Sequence, residues 1–237
     1  MKHESIYLRR DLLIVHLVPD AQTIAKKSIA VLFVLVFMNS ILFILSPEVY
    51  TDLLTLVPIA LLTTIVCIDV AIRSISSQRD RYNRVIVGIS FLLFPFMVSL
   101  PYYEWRSLLS MHVPVFLLFM APLGVVILLC GSVVLLASRI QIGHYGGAKI
   151  TVEEDHHLIT DGMYRHIRNP QYLGFILLFL GYSFSLGSLF VTFMTTLLLF
   201  VIFRSRIILE ERLLLDVFGE EYAEYMRRTR RLVPRIY

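Results

Sequence analysis

Arg206 and Glu210 stand four residues apart at the end of a strongly apolar run, so a helix puts both on one face. A carboxylate placed there, at Glu210 or its neighbour Glu211, can hold a cation or an amino group, and the Arg206 guanidinium can hold a carboxylate. The competing account is an exposed ion pair worth a few tenths of a kcal/mol. Against it, ionisable residues at the end of such a helix tend to face a cavity. A second cluster lies upstream, GMYRHIRNPQYLG at 162–174. Asp161–Gly162 suits a turn. Asn169–Pro170 reads as an N-cap followed by proline at the first helical position. A helix therefore begins inside the cluster, and its amide-rich end suits a ligand carboxylate. Tyr164 and Tyr172 flank that start and offer ring faces and hydroxyls to a planar base. Taken singly, each reads equally well as part of an aromatic belt. His156 and His157 are adjacent but lack a cysteine or third ligand, so no metal site is expected.

The elements that must carry these residues are membrane helices. Of 237 residues, 57% are hydrophobic, and the mean hydropathy is +0.74, well above a soluble domain. Apolar stretches cover 28–46, 53–72, 85–100, 113–137 and 173–203. A bilayer crossing takes about 20 residues of helix, and the last stretch is too long for one. Ser183, Ser185, Gly187 and Ser188 suit a turn inside it, which predicts a hairpin of roughly 173–182 and 188–205. Its first arm is short for a crossing, so its turn is expected within the membrane, shielded by protein. The basic leader ends at Lys26–Lys27 with no small-residue cleavage site after the apolar run, and reads as preceding an anchor. Cys67 and Cys130 fall inside spans and read as packing residues.

Of the 22 Lys and Arg, all but Arg106 fall in loops of one parity. The excess of basic residues on one side predicts both termini, the 138–172 segment and the tail in the cytoplasm. Basic residues spread along membrane edges do not form a nucleic-acid face. No glycine-rich nucleotide fingerprint or phosphate loop occurs. The expected organisation is an N-terminal interfacial segment (1–27), four transmembrane helices (28–137) and a catalytic core (138–237). The core divides into a loop (143–172), a hairpin (173–205) and a tail (206–237). The tail carries Phe218, Tyr222 and Tyr225 at helical spacing, which reads as packing against the bundle.

GMYRHIRNPQYLG, followed by the Glu210–Glu211 pair and then FGEEYAEYMRR, resembles the isoprenylcysteine carboxyl methyltransferase family, whose relatives include membrane phospholipid and thiol methyltransferases. The resemblance covers about 155–235. It implies an all-α integral membrane protein with about four transmembrane helices, a C-terminal helical hairpin, a cytoplasmic cofactor loop and an amphipathic tail. It also implies S-adenosyl-L-methionine as cofactor and a lipid-side entrance for an apolar or prenylated acceptor. By position, Lys149, His156, His157, Leu158 and Ile159 would line the cofactor loop. Tyr164 with Asn169, Pro170, Gln171 and Tyr172 would close on the cofactor. Glu210 would contact it, and Arg206 would stand on the substrate side; these two are the expected catalytic residues. Many members have His where this chain has Asn169, and Asn cannot take a proton near neutral pH.

The implied reaction is most simply O-methylation of an isoprenylcysteine-type carboxylate, which is ionised at neutral pH and needs no base. A phospholipid or thiol acceptor is the alternative; a thiol or amine needs deprotonation by His156, His157 or His166. The rivals from other classes are an NADPH-dependent membrane reductase and a non-catalytic lipid-binding protein.

Overall fold

The computed structural model describes residues 21–51, 53–72, 93, 95–104, 106–107, 114–143 and 158–232. It is helical throughout, with the isolated parallel bridge between Ile167 and Arg230 as the extended pairing among those residues. The helices are α1 (Ala21–Leu45), α2 (Leu53–Ile72), α3 (Pro114–Ile142), α4 (Pro170–Ser185), α5 (Leu189–Phe218) and α6 (Glu220–Arg228). A further helical stretch occupies 95–104. Among the described residues α1, α2, α3 and α5 are long and apolar enough to cross a membrane. Their outward faces are dominated by exposed side chains such as Phe33, Phe119, Val133 and Phe193. In water that exposure would be costly; in a bilayer it is the required surface.

The hairpin forms where the serines and glycine predicted it. Gly187 takes φ +69° in the turn between α4 and α5, a region open to glycine at no steric cost. α4 has only 16 residues, so its turn end lies among other helices. There the Glu104 carboxylate accepts from the Phe190 and Val191 amides at 3.0 and 2.8 Å. That satisfies two of the orphan donors at the start of α5. Tyr182 is fully buried and donates to Val98 O at 2.8 Å. Nearby, Arg106, the one cation of the opposite loop parity, pairs with Glu48. The second arm runs past its expected end at 205 without a break to Phe218, so Arg206 and Glu210 lie on the hairpin helix, as their shared face in the sequence implies.

α3 and α4 form the scaffold of the site, packed antiparallel with glycines in the seam. Gly124 lies against Ser185, Gly181 against Leu128, Gly131 against Leu178 and Gly174 against Leu135. A methyl group on Gly131 would sit 2.6 Å from Leu178 N, and on Gly174 2.7 Å from Leu135 N. The glycines recur every seven residues on both helices, the close-approach arrangement that membrane helices use in place of a hydrophobic driving force. α2 is tied to α3 by a buried ion pair, Arg139 Nε to Asp69 Oδ1 at 2.8 Å, with side chains 5% and 2% exposed.

Candidate functional site

At the end of α3 opposite the hairpin turn, the chain re-enters the described region at Leu158 and makes a 3-10 turn, Gly162–Arg165, before α4. Gly162 has φ +56°, and a side chain there would collide with Gln141. Gln141 fastens the turn from α3: its Oε1 accepts from Met163 N at 3.1 Å, and its Nε2 donates to Asp161 O. Tyr164 is thereby buried to 5% exposure, with its hydroxyl toward Ser138 O at 3.3 Å. Gln171, the second residue of α4, donates to the same hydroxyl at 3.3 Å. Burial pushes the Tyr164 phenol up to about 12, with the Gln171 hydrogen bond opposing.

Asn169 is the N-cap of α4 and Pro170 its first residue, as the sequence predicts, but the Asn169 side chain makes no capping bond. Its Nδ2 donates instead to Arg231 O at 3.1 Å. The tertiary partner wins because the same carbonyl also receives the Asn169 amide at 3.1 Å, which fixes the residue toward the C-terminal segment.

The first turn of α4 meets α5 through one carboxylate oxygen. Glu210 Oε1 accepts from the Tyr172 hydroxyl at 2.7 Å and from Arg206 Nε at 2.9 Å. The Arg206 guanidinium carbon stands 5.7 Å from the Tyr172 ring centroid, within cation–π range. Phe203 packs on that ring at 4.9 Å. The predicted i, i+4 pair thus exists, and Tyr172 makes it a three-member cluster only partly exposed to solvent.

This cluster borders a cavity of about 140 Å³. The expected residues Leu158, Ile159, Tyr164, Asn169, Gln171, Tyr172 and Glu210 line it. Pro170 is buried at the head of α4, and Arg206 stands beside Glu210. Lys149, His156 and His157 lie outside the described residues. Sequence reasoning missed Ile142, Arg168 and Leu214 as lining residues, and favoured packing over binding for Phe218, Tyr222 and Tyr225. A signal for two of them was present: Arg206, Glu210, Leu214 and Phe218 follow one another every four residues along one face of α5. Tyr222 and Tyr225 do pack, at 2% and 8% exposure, and also form wall. Tyr225 donates to Tyr164 O at 2.6 Å. Burial raises both of their phenol pKa values.

Chemically, the cavity joins aromatic faces, apolar side chains, a carboxylate with an adjacent guanidinium, and the amide end of a helix. That donor set suits a ligand with a planar base, an amino group and a carboxylate. The arrangement belongs to a multi-pass membrane protein with a cavity of mixed polar and apolar lining at the end of its helices. Known proteins agree. The phospholipid methyltransferase family pattern matches residues 119–221. Protein-S-isoprenylcysteine O-methyltransferase of Schizosaccharomyces pombe is 37% identical over 83 residues, 35% of either chain. Methanethiol S-methyltransferase 1 of Bradyrhizobium diazoefficiens is 41% identical over 76 residues, 32% of this chain and 25% of that one. These matches thus span well under two thirds of either relative's length. A solved structure of the eukaryotic intramembrane Ras methyltransferase, isoprenylcysteine carboxyl methyltransferase, shares the fold. Its TM-score is 0.52 at 18% identity, covering 88% of this chain and 86% of that one. Residues 119–221 thus match the phospholipid methyltransferase family, and the chain is similar to isoprenylcysteine O-methyltransferases over part of its length.

Proposed function

We propose that this protein is an integral membrane methyltransferase that uses S-adenosyl-L-methionine to methylate the carboxylate of an apolar, isoprenylcysteine-type acceptor. The observation that carries the reading is the Tyr172–Glu210–Arg206 cluster at the edge of the cavity. The residues fit the cofactor by their chemistry. Tyr164, Tyr222 and Phe218 offer ring faces for adenine, Glu210 offers a carboxylate for the amino group, and the start of α4 offers amides for the carboxylate. When bound, the cofactor supplies a methyl group on a sulfonium, open to in-line displacement.

The chain's own part is positioning. Arg206 donates through Nε to Glu210 and lies beside the Tyr172 ring, and its planar guanidinium suits an acceptor carboxylate. Holding nucleophile and methyl carbon within about 3–3.5 Å supplies most of what such a displacement needs. A carboxylate acceptor requires no base, and no histidine lines the cavity among the described residues. Asn169 holds the wall and moves no proton. A thiol acceptor is the second reading, favoured by the similarity to the methanethiol enzyme. The excess of basic residues in loops of one parity supports a cytoplasmic site with both termini on that side. The Asp69–Arg139 pair supports counting α2 in the catalytic unit.

The test is a methyl-acceptor panel on the full chain in lipid nanodiscs with labelled S-adenosyl-L-methionine. The panel holds an S-prenylated N-acylcysteine, phosphatidylethanolamine and methanethiol, and label in the prenylcysteine ester is expected. Calorimetric binding of NADPH with none of S-adenosylhomocysteine would overturn the methyltransferase reading in favour of a reductase.

A further inference from the structure

Glu210 and Glu211 are adjacent in α5, and successive helical residues point about 100° apart. Glu210 faces the cavity. Glu211 turns away from it and is 3% exposed. Its two oxygens take two guanidiniums: Arg168 Nε reaches Oε1 at 2.9 Å, and Arg231 Nε reaches Oε2 at 2.8 Å. Arg168, with its side chain 7% exposed, also donates through Nη1 to Met226 O at 3.0 Å and to Thr229 O at 2.6 Å. Residues 229–232 then run beside 166–169 as a short strap. Arg168 N donates to Arg230 O at 2.8 Å, and Arg230 N to His166 O at 3.2 Å. Asn169 meets Arg231 O through both its amide and its side chain.

A buried carboxylate shared by two arginines is not a cheap way to stabilise a joint, since well-packed apolar residues often do as well or better. What such a network does provide is a defined geometry, with every partner direction specified. The residues it defines are Arg168 and Asn169, both in the cavity wall and directly before Pro170. We propose that Glu211 and Arg231 are positioning residues for the cofactor end of the cavity. Through Arg168 and the strap they set the 166–169 wall without touching the ligand, so the two adjacent glutamates have separate tasks. This rests on the methyltransferase reading for the ligand's identity, and on the geometry alone for the strap.

The test uses the full chain in nanodiscs, with S-adenosylhomocysteine as calorimetric probe and hydrogen exchange as a ligand-free readout. Arg231→Gln is the milder variant, because that side chain is one third exposed. It is expected to weaken S-adenosylhomocysteine about tenfold, leave the acceptor KM within twofold, and speed amide exchange at 168–169 at least tenfold. Exchange in α3 stays unchanged. Arg231→Lys should recover part of the affinity, and Glu211→Gln combined with Arg231→Gln should bind no more weakly than Glu211→Gln alone. Unchanged affinity and exchange in Arg231→Gln overturn the proposal. So do equal losses toward cofactor and acceptor, which mark a merely structural role. Wild-type protein that fails to bind S-adenosylhomocysteine overturns the function proposed above, and the exchange result then decides the strap.

Discussion

The Tyr172 hydroxyl donates to Glu210 Oε1 at 2.7 Å, joining the first turn of α4 to a residue 38 positions later in α5. Arg206 meets the same oxygen. One carboxylate thus couples the aromatic wall of the cavity to the residue proposed to hold the acceptor, and the two sides separate experimentally.

Removing the hydroxyl leaves the ring in place but takes a donor from a charged acceptor, a loss of about 1.5–3 kcal/mol. Tyr172→Phe is therefore expected to weaken S-adenosylhomocysteine roughly tenfold or more by calorimetry, and Glu210→Ala further. Unaltered binding in both would show that the cluster does not contact the cofactor.

Arg206→Lys keeps a cation but loses the planar fork. The expected outcome is a fall of about 10–100-fold in kcat/KM for a carboxylate acceptor, with the dissociation constant of S-adenosylhomocysteine changed little. Steady-state kinetics with the prenylcysteine substrate read the first, calorimetry the second.

Asp69 and Arg139 form an ion pair shut away from solvent on both sides. Asp69→Ala takes the carboxylate partner from a buried guanidinium and is expected to cost about 3–5 kcal/mol, read as a lower unfolding midpoint in detergent. The double replacement of both by leucine should recover most of that loss. Equal stability of wild type and Asp69→Ala would refute the pair's structural role.

The glycine seam between α3 and α4 leaves no room for a side chain. Gly131→Leu should lower stability by about 1–3 kcal/mol or more, since both backbones must part. Val133→Ala, on the exposed face, should stay within about 0.5 kcal/mol. Thermal melts in nanodiscs distinguish them.

The buried Tyr164 phenol, held up to about 12, makes folding bind that proton more tightly than the unfolded chain, whose phenol titrates near 10. Its contribution is complete below pH 10 and fades as pH rises towards 12. Unfolding midpoints should therefore fall with pH across that window. Tyr164→Phe should reduce the slope, with Tyr222 and Tyr225, also raised by burial, accounting for what remains.

Much of this was legible in the linear chain because the relevant signals are local. Apolar run lengths mark the spans at 28–46, 53–72 and 113–137, while the run at 85–100 lies mostly outside the described residues; Ser183 to Ser188 mark the hairpin turn, and Asn169–Pro170 mark the head of α4. The four-residue spacing of Arg206 and Glu210 puts them on one face, as found. A helix or turn depends mainly on neighbours within four or so positions, so these features need no knowledge of the rest of the fold.

The tertiary structure decided the pairings between distant residues. Asn169 carries the sequence of a cap, yet its side chain serves Arg231, 62 positions on. Glu210 and Glu211 are the same residue type side by side, and only the placement of α4 and the tail assigns one to the cavity and the other to Arg168 and Arg231. Asp69 sits inside an apolar run, and its carboxylate meets Arg139 70 positions later. Such contacts depend on how helices register against one another. Here the glycine seam of α3 and α4 sets that register, and a seam of small residues becomes visible only once two helices are laid side by side.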